Sequence, residues 1–173
     1  AGPLDGGTGQ TVFVATGSHG LAIATVSPDN VATLVGQIDL PGDAVDVSID
    51  AALGVAAIAS GSGGLHRVDI SDISAPRLLE THAINASQVE VHQGVIYAAV
   101  GTELRAYDLL TGEKLAAVVT SSRIAALERE GDTLFTLDAT RALTAYDIGD
   151  GTFDRRGSLS IPGSPASLFV GGG

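Results

Sequence analysis

Short runs of β-branched, aromatic and small apolar residues recur along the chain: "TVFVAT" from Thr11, "GVAAIAS" from Gly54, "GVIYAAV" from Gly94 and "DTLFTLD" from Asp132. After a turn of small or polar residues each leads to a leucine, Leu21, Leu65, Leu104 and Leu143, at spacings of 44, 39 and 39 residues. A third run follows in every copy: "ATLVGQIDL", "PRLLETHAI", "EKLAAVVT" and "RRGSLSI". A fourth comes after a brief loop: "AVDVSID", "SQVEVHQ", "RIAALERE" and finally "PASLFV". Runs of this length, bounded by Gly, Pro, Asn, Asp and Ser, predict strands joined by tight turns, and no helical period separates them.

A four-stranded antiparallel unit repeated at about forty residues is the signature of a propeller blade. The predicted fold is therefore all-β, a β-propeller of about four blades with four antiparallel strands each. The units cover residues 11–50, 51–93, 94–131 and 132–173 of one domain spanning 1–173, or of a propeller segment. "AAIA" and "IYAAV" are apolar at successive positions, as expected of strands covered on both faces of their sheet. The aromatics also keep register. Phe13 and Phe135 lie eight residues before the leucine, Tyr97 seven before it, and Tyr107 and Tyr146 three after, which predicts packing between sheets.

Four residues past the leucine stand Asp69, Asp108 and Asp147, with Thr25 in the first copy. An aspartate there accepts hydrogen bonds from the amides of the turn that follows, so its recurrence is structural.

The phase of the repeat leaves two arrangements open. The chain opens on the second strand of a blade near Thr11 and ends on a first strand, "PASLFV". In a small closed ring of four blades that last strand completes the first blade and removes two exposed edges. Four blades is also the low limit for the architecture. Together with the absence of methionine, even at position 1, this fits a segment of a larger propeller and of a longer polypeptide.

Composition narrows the function classes. A formal charge of −11 repels polyanions, so no nucleic acid partner is expected. Without cysteine there is no disulfide, thiolate nucleophile or cysteine metal site. The longest apolar stretches fall short of the roughly 20 residues a helix needs to cross a bilayer, so no membrane insertion by this segment is expected.

The first two units resemble the LVIVD-repeat propellers of bacterial and archaeal surface or exported proteins. The likeness rests on the pairs Gly20-Leu21 and Gly64-Leu65, on "VDIS" at Val68 to Ser71, and on Pro76 before the outer strand. The third unit resembles pyrroloquinoline-quinone-like propeller repeats through Leu104, Tyr107, Asp108 and the Thr111-Gly112 turn. Thr25 departs from the turn aspartate, and the chain has no tryptophan, which quinone-family blades often carry. What the LVIVD resemblance implies is a noncatalytic contact module, extracellular or on the cell surface, or in the periplasm, with a protein partner.

Catalytic constellations are not legible. His19, His66, His82 and His92 lack the spacing of metal ligands on one element. Asp147, Asp150 and Asp154 lack the alternation and the terminal Glu of a calcium loop. "SGSGG" from Ser60 is not a nucleophile elbow, and "LTGEK" is not a phosphate loop. No catalytic residue, metal or cofactor is therefore assigned. A small site would form on the loops leading into the innermost strands, at Asp43, Asn85, Arg123 and Ser164. The function read from the sequence is a binding or scaffolding module that recognises a partner through loops and blade edges. The alternative is a ligand-binding or enzymatic propeller, hydrolase, lyase or quinoprotein-like, with a polar site at the channel mouth.

Overall fold

The computed structural model describes residues 9–163 and 168–171. All regular structure among them is β, in four antiparallel sheets. The first sheet holds β1 (Gln10–Ala15), β2 (Leu21–Val26) and β3 (Ala32–Ile38). The second holds β4 (Asp46–Asp50), β5 (Val55–Ala59), β6 (Leu65–Asp69) and β7 (Arg77–His82). The third runs β8 (Gln88–His92), β9 (Val95–Val100), β10 (Glu103–Asp108) and β11 (Lys114–Val119). The fourth runs β12 (Ile124–Glu130), β13 (Thr133–Asp138), β14 (Ala142–Asp147) and β15 (Asp154–Ser160). Each sheet pairs its strands in chain order, as successive hairpins.

Sheet and sequence repeat are offset by one strand. "AVDVSID", the last run of the first repeat, supplies β4 and opens the second sheet. The first sheet consequently has three strands among the described residues. Of "PASLFV", Leu168, Phe169 and Val170 are not in a strand, and residues 165–167 lie outside the described part.

The turn aspartates act as expected. Asp69 Oδ1 accepts from Ser71 N at 2.9 Å, Asp108 Oδ1 from Thr111 N at 2.7 Å, and Asp147 Oδ1 from Gly149 N at 3.1 Å. In the first sheet, Ser27 Oγ takes the role by accepting from Val31 N at 3.2 Å. A feature not foreseen is a β-bulge at one repeated position, between Ile23 and Ala24, Arg67 and Val68, Ala106 and Tyr107, and Ala145 and Tyr146. Each leaves one extra residue on the outer strand, which bends and twists that edge and makes it a poorer template for foreign strands.

The chain forms two compact units, residues 1–87 and 88–173. In the first, Leu21 and Ile23 pack with Ala56, Ile58, Val68 and Ile70. Every residue of β5 is buried, which accounts for its lack of alternation. In the second, Tyr97, Leu104 and Ala106 pack with Ile124, Leu127, Leu134 and Tyr146. Phe153 sits edge-on to both Tyr97 and Tyr146, with ring centroids at 5.7 and 6.1 Å, so these two repeated tyrosines serve packing between sheets.

Candidate functional site

Asp43 and Asn85 lie on loops that carry the chain into β4 and β8, and both are exposed. Their loops are held by the turns that follow β1 and β5. Gly17 N donates to Ala44 O at 3.0 Å and Ala44 N returns a bond to Gly17 O at 2.9 Å. Gly61 N donates to Ala86 O at 2.8 Å. In the second unit Ile124 N donates to Gly101 O at 2.9 Å, directly after exposed Arg123. One neighbour of each residue is thus pinned while its own side chain is left in solvent. The side chains of Asp43, Asn85 and Arg123 form no hydrogen bond or ion pair among the described residues. Ser164 lies outside the described residues.

Two polar groupings that the sequence reading missed lie in the second unit. The first is a hollow of about 140 Å³ lined by Thr120, Ser121, Thr136, Asp138, Thr144 and Arg155, among others. Asp138 is buried, and its Oδ1 accepts from Thr140 Oγ1 at 2.7 Å, Thr140 N at 2.9 Å and Ala142 N at 2.9 Å. Burial pushes its pKa up. The bonds from Thr140, Ala142 and Ser122 outweigh that effect and hold the carboxyl below its ordinary range. The Asp-x-Thr pattern at the end of β13 was a signal that could have found it.

The second grouping joins two hairpin turns. His92 Nε2 lies 2.7 Å from Asp132 Oδ1, and Gln93 Nε2 donates to the same oxygen at 3.2 Å. Gln93 and Asp132 stand 39 residues apart, one repeat period, which is the signal that was overlooked. Tyr97 lines the hollow beside them, but its hydroxyl donates to Ile148 O at 3.0 Å, and burial pushes its pKa up to about 12. A phenol so engaged is a poor proton donor or base near neutrality.

In the first unit the distinctive surface is β1. Among the described residues no strand pairs with its outer edge, whereas β5, the matching strand of the second sheet, has β4 there. Val12 and Val14 are 40% and 43% exposed; their counterparts Ala56 and Ile58 are fully buried. Among the described residues no helix is long and apolar enough to cross a membrane.

No protein-family model matches the chain, and no curated protein matches it in sequence. Solved structures do. Together with the four meandering sheets, they define the class: the protein is all-β with a propeller-like fold. It is similar to the computationally designed Ika8 protein, with a TM-score of 0.65 at 13% identity over 97% of this chain and 55% of the other. The N-terminal domain of Nup159 matches with a TM-score of 0.61 at 14% identity over 88% of this chain and 42% of that one. A chain in the S. cerevisiae assembly of Dbp5 bound to Nup159 and Gle1 gives 0.63 at 15% identity, over 91% and 46%. The protein thus spans about half the length of these structures.

Proposed function

We propose that the chain is a noncatalytic recognition module of the LVIVD-repeat type, in an exported or cell-surface protein, that engages a protein partner through its blade edges and loops. The open outer edge of β1 carries this reading. The hairpin bond from Thr16 N to Gly20 O sets the alternation, so Val12 and Val14 exchange bonds with β2 while Thr11, Phe13 and Ala15 direct N–H and C=O groups outward. Such an edge accepts an extended segment by strand addition, main-chain bonds giving affinity and alternate side chains giving selectivity. The matched S. cerevisiae assembly, in which Dbp5 is bound to Nup159 and Gle1, is in keeping with a protein partner.

A labelled peptide copying residues 123–130, the first strand of the fourth sheet, serves as the probe. Binding accompanied by slowed hydrogen exchange at the amides of Thr11, Phe13 and Ala15 supports the reading. Unchanged exchange at these amides under saturating peptide rejects the edge as a recognition site.

A further inference from the structure

His66 follows the repeat leucine Leu65, and Thr144 follows Leu143. His66 pairs in register with Ile58 and Thr81, and Thr144 with Thr136 and Ser158. The two residues therefore hold the same place on their sheets. In the first unit an imidazole fills that place: His66 is fully buried, with Nε2 2.9 Å from Pro41 O and Nδ1 2.8 Å from Thr81 Oγ1. Pro41 stands three residues before Ala44, whose amide bonds Gly17 O, and Ser121 stands three residues before Ile124, whose amide bonds Gly101 O. Ser121 is thus the counterpart of Pro41, and Ser158 of Thr81.

The second unit keeps these partners and lacks the ring. Thr144 ends in a hydroxyl 3.1 Å from that of Ser158, and beside it lies the hollow of about 140 Å³ that Ser121 and Thr144 line. An engineered cavity of roughly 150 Å³ admits benzene, so a hollow of this size takes one aromatic ring. Its walls ask for a polar one. Thr136 stands in the place of Ile58; it is 1% exposed and lines the hollow, and its hydroxyl forms no hydrogen bond among the described residues. A buried hydroxyl without a partner is costly, and a ligand that bonds it recovers the loss. Asp138, held charged by its turn bonds, and Arg155 both line the hollow, so a neutral ring suits it better than an ion of either sign. Val118 and Tyr146 add an apolar wall.

We propose that this hollow binds a small neutral nitrogen heterocycle of the imidazole class, one ring nitrogen donating to the Ser121 carbonyl and the other accepting from the Thr136 hydroxyl. The ligand takes the place that the His66 side chain fills in the first unit. The site lies wholly within the second unit and is independent of the β1 edge, so a failure of strand addition there leaves it standing.

Free imidazole is the probe, titrated at about pH 8, where the ring is mostly neutral, into the isotope-labelled chain and followed by amide chemical shifts. Saturable shifts at Thr136 and Thr144 are expected, with a Kd of about 1 mM for so small a ligand. Thr144→His fills the hollow from the chain itself and is expected to weaken binding about tenfold or more. Thr136→Val removes the hydroxyl at constant size, and N-methylimidazole lacks the N–H; each is expected to bind or be bound about tenfold more weakly. Circular dichroism confirms folding, and should Thr144→His not fold, Thr136→Val and the methylated ring decide alone. The absence of saturable shifts in the parent chain, or an affinity unchanged by either substitution or by methylation of the ring, overturns the proposal.

Discussion

His66 Nε2 lies 2.9 Å from the carbonyl oxygen of Pro41, at the other side of the loop that precedes β4. A carbonyl only accepts, so Nε2 carries the proton and Nδ1 accepts from the Thr81 hydroxyl at 2.8 Å. One buried imidazole thereby ties β6, β7 and the Asp43 loop together. Burial lowers its pKa from 6.5, more than the Pro41 bond raises it, and the ring is held neutral.

The sign of the resulting pH effect follows from linkage. Because the folded-state pKa is depressed, the stability His66 contributes is present above pH 6.5 and is lost as pH falls through the folded value. Urea unfolding of the parent chain should therefore weaken on acidification below pH 6.5. His66→Gln, which keeps a donor but cannot titrate, should flatten that stretch of the profile. His66→Ala should cost about 2–4 kcal/mol at pH 7.5, from two lost hydrogen bonds and a cavity.

Beside that histidine the backbone itself is close-packed. A Cβ on Gly42 would stand 2.5 Å from Gly63 Cα, and one on Gly63 would stand 2.2 Å from Pro41 O. Gly42 also has φ of +82°. Gly42→Ala and Gly63→Ala are expected to destabilise by more than about 2 kcal/mol each, since backbone must shift. Gly101→Ala meets nothing within 4 Å and carries only its left-handed strain, about 1 kcal/mol. Thermal melts of the three variants check the order; equal shifts would show that the loop gives way freely.

The repeat of leucine, turn and aspartate made the strands and hairpins legible, because each depends on local chemistry: period-two runs, glycine turns and a carboxylate two or three residues ahead of the amides it caps. The offset between repeat and sheet follows from a chain that opens on the second strand of a blade: β4 joins β5 as a hairpin over the short turn 51–54, where Asp50 Oδ1 accepts from Ala52 N and Leu53 N. The loop positions Asp43, Asn85 and Arg123 were correctly placed before first strands, yet position alone did not reveal that their side chains would be unengaged. The His92 and Asp132 pair was missed because it joins the turns of two different hairpins, whereas Asp138 takes its bonds within its own turn, from Thr140 and Ala142.

Asp138 gathers three hydrogen bonds on one oxygen, so its loss is costly. Asp138→Ala leaves the amides of Thr140 and Ala142 without that acceptor and is expected to cost about 2–4 kcal/mol, while Asp138→Asn keeps one acceptor oxygen and should cost less. With its pKa lowered, the charged carboxylate contributes stability above pH 3.8 that disappears as pH falls through the folded value. Guanidinium unfolding between pH 7 and pH 3 checks both statements. A parent chain and Asp138→Asn variant that lose stability in parallel over this range would show that the carboxylate is not responsible.

Tyr97 gives the opposite sign at the alkaline end. Its ring is buried between the third and fourth sheets, against Phe153, and its hydroxyl donates to Ile148 O at 3.0 Å. The bond requires the protonated phenol, and burial raises the pKa from 10.0 to about 12, so the folded state holds its proton longer than the unfolded chain does. The stability this residue contributes is complete below pH 10 and declines as pH rises toward 12. Tyr97→Phe removes the donor and leaves the Ile148 carbonyl without it, at an expected cost of about 1–2 kcal/mol near neutrality. The variant should also lose less stability than the parent chain between pH 9 and pH 11, because one buried ionisation is gone. Unfolding free energies measured across that interval decide the matter: identical slopes for parent and variant would place the alkaline sensitivity outside Tyr97.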